Sequence, residues 1–420
     1  MQRLLRTAEV GYAIAVLFLL TQGPVYQLWT ESSSSLPTSP QPSMPHIHFA
    51  TFVAVQLPAA MLLSQRIPTR WFRDRRIHAL LALTVWLGCS VMWSTLARFS
   101  LPEYVSLVLT TCVGLYLAVS FTPNLLWRVV AVAMSLGLVA SLTAVIRNWE
   151  LSRNVDESYW IGIYFNRNSL APVAAMALLA VLGVTLTNKS WKNIEGAVVI
   201  TVMTALAVLA SVMLWRAESR TSPFALGVAV FALGVWMAMR YVLGQFVSIN
   251  ARYASSFSVA AVAVVTFVGL RWIGGSSIVS GETATFNSRG ALWSLSWTGF
   301  LEKPIHGWGW MSAWHTPQFF KQGTWWAVFD TTWSHNGYHD LLLGGGLVAA
   351  VLFAGVVWFG MRNIGSHTSL CEAIPSFLLA AFVLTAATQE SFFIGTHFLW
   401  ALLITGLFLS ASRNRPAVTS

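Results

Sequence analysis

The chain has 420 residues, of which 56% are hydrophobic and only 10% are charged, and its mean hydropathy is +0.63. Soluble domains contain about 25% charged residues, so this composition excludes an ordinary soluble protein. The formal net charge of +10 does not indicate a nucleic-acid partner, because no basic stripe lies in a soluble domain.

Apolar runs of about 20 residues, long enough to cross the hydrocarbon core of a bilayer as helices, recur along the chain. The bilayer offers backbone groups no water, so such runs must be helical. We therefore predict an all-α, polytopic membrane protein with about twelve spans, which forms a single integral membrane domain over residues 1–420. The predicted spans are 8–28, 49–65, 78–97, 104–122, 128–146, 169–187, 194–214, 222–242, 255–273, 341–361, 373–388 and 392–411.

The distribution of Lys and Arg predicts the topology. The densest basic cluster lies in one short loop, residues 66–76, and the positive-inside rule assigns such a loop to the cytoplasm. Both termini are then cytoplasmic, and residues of about 275–338 form a large loop on the outer side. No Ala-x-Ala-like cleavage site follows the first apolar run, so we expect that run to be a span and not a cleaved signal peptide.

The outer loop is rich in tryptophan, which favours the membrane–water interface. An interfacial belt is one interpretation of these residues, and a wall that stacks on sugar rings or a prenyl chain is the other. Apolar spacing over residues 288–300 predicts a short helix lying in the interface, and Pro304, Gly307 and Gly309 then break regular structure. The tryptophans are Trp293, Trp297, Trp308, Trp310, Trp314, Trp325, Trp326 and Trp333.

Two arginines on the predicted outer side are candidates for binding phosphate. Arg220 precedes the eighth span, and Arg289 opens the predicted interfacial helix. Arginine carries a permanent charge and a fixed fork of donors that matches phosphate oxygens, so the pair could neutralise a pyrophosphate without a metal ion. The alternative is that they anchor helix ends or pair with Glu218 and Glu282.

His335, followed by Asn336, is the candidate general base. An imidazole titrates near neutral pH and can take a proton from an acceptor hydroxyl. A structural histidine is the alternative. A zinc site formed with His339 is disfavoured, because Asn336 stands where the metalloprotease pattern requires glutamate, and we predict no metal and no cofactor.

Three further polar residues are predicted on the same side. Glu390 could orient His335 or an arginine, or it could cap the last helix. Arg167 and Asn168 open the sixth span and could form a polar rim for glycan or phosphate, although Asn168 or Ser169 could equally be the helix cap. The chemistry of these residues is independent of the predicted topology, yet all of them fall on one predicted face, which favours a single shared site.

Together these residues resemble the O-antigen ligase/polymerase superfamily. The resemblance covers about residues 160–400 and rests on five segments. In the ligase pattern, His335-Asn336 is followed by nine residues and Gly346, which this chain has, but Ala349 stands where glycine, threonine or tyrosine is expected. This departure favours a polymerase or another superfamily member over a ligase. The segments are 162–168, 218–220, 288–309, 335–346 and the region around Glu390.

The resemblance implies a glycosyltransferase of the bacterial cytoplasmic membrane whose active site lies outside the cytoplasm. Its donor would be a glycan on undecaprenyl pyrophosphate, its acceptor a lipid or glycan hydroxyl, and its reaction metal-independent and inverting. Arg220 and Arg289 would bind the pyrophosphate, and His335 would act on the acceptor, with Asn336, Glu390, Arg167 and Asn168 in support.

Two other classes of protein fit the sequence less well. A flippase for lipid-linked sugars would place polar groups near the bilayer midplane, in broken helices or inverted repeats. Here the polar residues gather at one face and no repeat is apparent. An intramembrane hydrolase would need a nucleophile or metal motif, and none is convincing.

Overall fold

The computed structural model describes residues 2–25, 46–149, 152–153, 158–188, 194–246, 286–316, 333–367, 369–390 and 397–409. These residues form an all-α protein, and no β-strand occurs among them. The α-helices are α1 (Gln2–Leu20), α2 (His46–Ser64), α3 (Arg75–Ser90), α4 (Ala97–Ser120), α5 (Pro123–Ile146), α6 (Arg167–Thr187), α7 (Ile194–Arg216), α8 (Thr221–Phe246), α9 (Phe286–Glu302), α10 (Gly337–Gly365), α11 (Leu370–Ala386) and α12 (Phe398–Phe408). Short 3-10 helices span Thr69–Arg73, Val91–Trp93 and Ala313–His315.

The helices confirm a polytopic membrane protein. Within the described residues, seven helices are long and apolar enough to cross a membrane, and three more apolar helices are shorter. Every predicted span overlaps a described helix except 255–273, which lies outside the described residues. The predicted edges of the first span were wrong: α1 ends at Leu20, and Gln22 follows with a left-handed φ of +69°.

Helix α10 is broken at Gly346, where φ is +68° and ψ is −166°. The break frees backbone groups that the loop after α9 then binds. The backbone N–H of Trp308 donates to the Leu343 carbonyl at 2.7 Å, and the N–H of Leu347 donates to the Pro304 carbonyl at 2.8 Å. We call this pairing of residues 304–309 with 343–348 the clasp. It accounts for the break that the sequence predicted after Phe300.

Glycine is required at the clasp by both conformation and space. Gly307 and Gly346 have positive φ, and a Cβ on Gly346 would lie 2.2 Å from the Ile305 carbonyl oxygen. The clasp is also fastened to α3, because the Trp86 indole N–H donates to the Gly345 carbonyl at 2.7 Å. The loop after α9 is therefore part of the helical bundle.

Polar contacts gather at two opposite ends of the bundle. One end holds the start of α1, the ends of α2 and α4, and Glu9, and we call it the Glu9 end. The other holds the start of α6, the α7–α8 connection, the start of α10 and the end of α11, and we call it the His335 end. The sides of the membrane on which the two ends lie stay predictions.

Candidate functional site

His335 lies in the turn that leads into α10. Its φ is +52°, in the left-handed region that non-glycine residues adopt uncommonly. Asn336 is the N-cap of α10, and its side-chain oxygen accepts the backbone N–H groups of Tyr338 and His339 at 3.0 and 3.3 Å. Asn336 thus ends the turn and fixes the direction in which the chain enters the helix.

Buried hydrogen bonds hold this turn in place. Asp340, which is 5% exposed, accepts the Ser334 backbone N–H and the Trp314 indole N–H, each at 3.0 Å. The indole N–H of Trp293 donates to the Ser334 carbonyl at 3.1 Å. The backbone on the N-terminal side of His335 is therefore bound from α9 and from α10, and Trp314 of the loop between them holds the Asp340 carboxylate in place.

Glu390 contacts the His335 ring. The Nδ1 atom of His335 lies 2.9 Å from Oε2 of Glu390, and the two side chains are 27% and 11% exposed. A carboxylate accepts hydrogen bonds, so this contact assigns the proton to Nδ1 and leaves the lone pair on Nε2. The Trp333 indole N–H also points at Nδ1, at 3.3 Å and from a ring tilted by 66°, but the carboxylate makes the shorter contact of 2.9 Å and sets the tautomer.

Asn168 contacts the other oxygen of Glu390. Its Nδ2 donates to Oε1 of Glu390 at 2.7 Å, and its Oδ1 accepts the Ser219 hydroxyl at 2.8 Å. The expectation that Asn168 or Ser169 caps α6 was wrong. The cap is Asn166, whose side chain accepts the Ser169 backbone N–H at 3.0 Å, and this leaves the Asn168 amide available to Glu390.

Two arginines at this end lie over aromatic rings. Arg167 lies over the Tyr159 ring at 4.6 Å, and Arg216 lies over the Trp160 ring at 5.0 Å. Each of these arginines therefore makes a cation–π contact with a neighbouring aromatic residue.

The two predicted pyrophosphate ligands are less engaged. The side chain of Arg220 is exposed and makes no hydrogen bond or ion pair with any described residue, while its backbone carbonyl accepts the Phe224 N–H at 3.2 Å. Arg289 belongs to the first turn of α9, and its side chain lies outside what the structure describes. Their proposed role therefore rests on the sequence argument.

The tryptophans of the predicted outer loop differ in how far they are exposed. Trp308, Trp310 and Trp314 are at most 4% exposed, so neither an interfacial belt nor a sugar-binding wall describes them. The sequence expectation was wrong here because the clasp draws this part of the loop into the bundle. Trp297 is 50% exposed, and Trp325 and Trp326 lie outside the described residues.

The structure thus brings His335, Asn336, Glu390 and Asn168 together and adds Ser219, which sequence reasoning missed. Ser219 lies between Glu218 and Arg220, inside one of the segments that carry the resemblance, and this position could have pointed to it. No described contact joins Arg167 or Arg220 to His335. In the described part of the chain, no group of three or more His, Cys, Asp or Glu residues could hold a metal ion.

These features define an all-helical, multi-pass membrane protein with a histidine–carboxylate pair at one end of its bundle. Residues 205–354 match the family model described as O-antigen ligase. This matched O-antigen ligase domain covers a little over a third of the chain, and the match confirms the resemblance to the O-antigen ligase/polymerase superfamily. It supports in general terms a ligase- or polymerase-type glycosyl transfer between a lipid-linked glycan and an acceptor. No curated protein matches the chain.

Proposed function

We propose that this protein transfers a glycan from undecaprenyl pyrophosphate to an acceptor hydroxyl at the outer face of the bacterial cytoplasmic membrane. The observation that carries the proposal is the His335–Glu390 hydrogen bond of 2.9 Å. It joins a residue of the O-antigen ligase domain to a carboxylate that holds its ring in the tautomer of a base. A positioned general base contributes about 10²–10⁴-fold to the rate.

The reaction is a single displacement. The acceptor oxygen attacks the anomeric carbon of the glycan, and its proton passes to Nε2 of His335. The bond from that carbon to the pyrophosphate oxygen breaks, and its electron pair leaves with undecaprenyl pyrophosphate. Attack opposite the leaving group inverts the anomeric centre.

Arg220 and Arg289 are the proposed ligands of the pyrophosphate. Negative charge grows on the leaving group as the bond breaks, and fixed positive charge placed there lowers the barrier. The guanidinium of Arg220 is exposed and has no partner among the described residues, so it could bind a phosphate without breaking a contact between described side chains. Two guanidinium groups would make the reaction independent of a metal ion.

The protonated imidazole that results is stabilised by Glu390. A carboxylate that is hydrogen-bonded to one ring nitrogen orients the ring and favours the charged form that appears during proton transfer. Glu390 is mostly buried at the end of α11, with an 11% exposed side chain, so its interaction with His335 is only weakly screened by water.

The test is a transfer assay with purified protein in detergent, EDTA and an undecaprenyl-pyrophosphate-linked glycan. Lipid A–core is supplied as one acceptor, and more lipid-linked glycan as the other. A glycosylated lipid A–core product would make the protein a ligase, and a ladder of lipid-linked oligomers would make it a polymerase. Absence of any product from the wild-type protein with both acceptors would contradict the proposal.

A further inference from the structure

Four side chains at the His335 end form one continuous chain of hydrogen bonds, which we call the relay. Ser219 donates to Asn168 at 2.8 Å, Asn168 donates to Glu390 at 2.7 Å, and His335 contacts Glu390 at 2.9 Å. Ser219 is 4% exposed and Glu390 8% exposed. Buried polar groups that are hydrogen-bonded to one another in this way hold one another in a single arrangement.

The direction of each bond in the relay is set by the carboxylate. Glu390 can only accept when ionised, so both groups that face it must be donors. The amide nitrogen of Asn168 must therefore face Oε1, which leaves Oδ1 of Asn168 for the Ser219 hydroxyl. His335 must present N–H at Nδ1, and its lone pair is then on Nε2.

The relay crosses a boundary in the chain. Ser219 and His335 lie within the O-antigen ligase domain of residues 205–354, whereas Asn168 and Glu390 lie outside it. The family match alone therefore gives half of the relay, and the fold supplies the other half from α6 and from the end of α11.

Ser219 also belongs to the short connection between α7 and α8, which carries Arg220. This connection has a left-handed residue, Glu218, with φ of +51°, and the Ser219 hydroxyl ties it to Asn168. Arg220 follows immediately, so the position of its backbone depends on the relay.

We infer that Glu390, Asn168 and Ser219 are positioning residues that place the base His335 and the donor-binding Arg220 on one hydrogen-bonded network. Glu390 sets the tautomer of the base, and Ser219, through Asn168, sets where the arginine stands relative to it. This inference rests on the proposed function, since it takes His335 as the base and Arg220 as a ligand of the pyrophosphate.

The first arm of the test separates kcat from KM in the transfer assay. Glu390→Gln keeps the size of the side chain but removes its charge, and kcat should fall by about 10²-fold or more, as expected when a histidine base loses its carboxylate. Glu195→Gln is the control, because Glu195 is exposed in the first turn of α7 and should leave kcat unchanged. An unchanged kcat in Glu390→Gln would overturn the role of Glu390.

The second arm removes the hydrogen bond between Ser219 and Asn168, which holds the connection that carries Arg220. Ser219→Ala should raise KM for the lipid-linked donor about fivefold, the loss expected for one hydrogen bond, while kcat stays near the wild-type value. Ser222→Ala is a matched control. Ser222 is equally buried in the first turn of α8, but its hydroxyl has no partner among the described residues, so its removal should change neither constant. Equal effects of the two variants would overturn the role of Ser219.

The third arm observes the tautomer directly by NMR of protein labelled with ¹⁵N-histidine, with the His335 signals assigned from their loss in His335→Ala. Wild-type protein should show Nδ1 protonated and Nε2 unprotonated. The variants Asn168→Ala and Glu390→Gln should both shift the proportion of the two His335 tautomers. A His335 ring protonated on Nε2 in the wild type would overturn the relay. Full transfer by His335→Ala would instead contradict the proposed function, so the two failures are distinguishable.

Discussion

The two ends of the helical bundle both carry ionisable side chains, but they pair them differently. At the Glu9 end, Arg66 and Arg6 bind the Glu9 carboxylate, Tyr116 donates to it at 3.1 Å, and Arg6 also reaches the Ser120 carbonyl. At the His335 end, Glu390 is bound on both oxygens, yet Nε2 of its histidine partner is left without a described hydrogen bond.

Side-chain contacts also hold helix termini together at the Glu9 end. Arg76 binds both oxygens of Asp74 and donates to the Leu407 carbonyl at 3.2 Å. Burial raises the pKa of Asp74, and the hydrogen bonds and charge of Arg76 outweigh it, so the pKa lies below its usual value. The carboxylate is thus held in its charged form as part of the structure.

This difference separates a structural cluster from a reactive one. Charged groups that are fully paired stabilise the structure and have few hydrogen-bonding positions free for a substrate. At the His335 end, a base with a free ring nitrogen and an exposed Arg220 remain available. Variants at the His335 end should therefore change activity with little change in stability, and variants at the Glu9 end should do the reverse.

The largest expected effect is that of removing the base. His335→Ala should lower the transfer rate by about 10²–10⁴-fold and leave the unfolding temperature in detergent close to that of the wild type. His335→Asn is the companion variant, because asparagine tolerates the left-handed backbone at this position. Loss of activity in both cannot be attributed to backbone strain, and near-normal rates in either would remove His335 from the reaction.

The next effect concerns the arginine fork. Arg220→Lys keeps a positive charge but cannot reproduce the paired donors, so kcat/KM for the lipid-linked donor should fall by about 10²-fold. Arg216→Lys is the neighbouring control, since Arg216 lies over Trp160 and has no proposed contact with the donor. Equal losses in the two variants would indicate a general effect of the α7–α8 connection and contradict phosphate binding by Arg220.

A third variant tests the clasp, a structural feature separate from the polar clusters at the two ends. Gly346→Ala would place a Cβ 2.2 Å from the Ile305 carbonyl oxygen at a φ of +68°, so it should destabilise the protein by about 1–3 kcal/mol. Gly355→Ala on the same helix is the control, because its nearest neighbour would lie 3.8 Å away. Thermal unfolding in detergent measures both, and equal midpoints would show that the clasp adds no stability.

The smallest effect is expected at the Glu9 end. Glu9→Gln removes the charge that Arg66 and Arg6 share, and because these arginines are 36% and 42% exposed, water screens the pair and the loss should be below about 1 kcal/mol. The transfer rate of the folded protein should not change. A large loss of rate without loss of stability would contradict the division between the two ends.

The sequence predicted the all-α class well because long apolar runs leave the backbone no alternative to a helix in a bilayer. The helix edges were less predictable. Two helices, which begin at Ala97 and Pro123, start several positions before their apolar runs begin. A helix can extend beyond the hydrocarbon core, and the apolar run marks only the part inside it.

The candidate site was only partly predictable. The chemistry of His335 and the arginines could be argued residue by residue, but the contact between Asn168 and Glu390 joins positions 222 residues apart. Nothing in a single sequence specifies such a pair. The Asn166 cap was missed for a related reason, since three polar residues near the start of α6 could each have served, and only the backbone geometry decides between them.

The buried tryptophans were mispredicted because composition suggests an interface wherever tryptophan is abundant. Trp310 lies instead against α3 and α10, where its backbone N–H donates to the Ser90 hydroxyl at 2.9 Å. That position of Trp310 depends on the break at Gly346. The sequence around a glycine in an apolar run does not indicate whether the helix continues through it.

The clasp and the relay also differ in how far along the chain their members lie, and this bears on assembly. The clasp joins residues 304–309 to 343–348, so its hydrogen bonds can form when the loop after α9 meets α10. The relay needs the start of α6, the α7–α8 connection, the turn before α10 and the end of α11 together, with separations of 51, 55 and 222 residues. Glu390 follows His335 by 55 residues, so the carboxylate can reach the base only when the chain as far as the end of α11 is in place. The base is therefore oriented only once nearly the whole chain has packed, and a partly inserted chain would hold its histidine in a turn with no carboxylate to direct it.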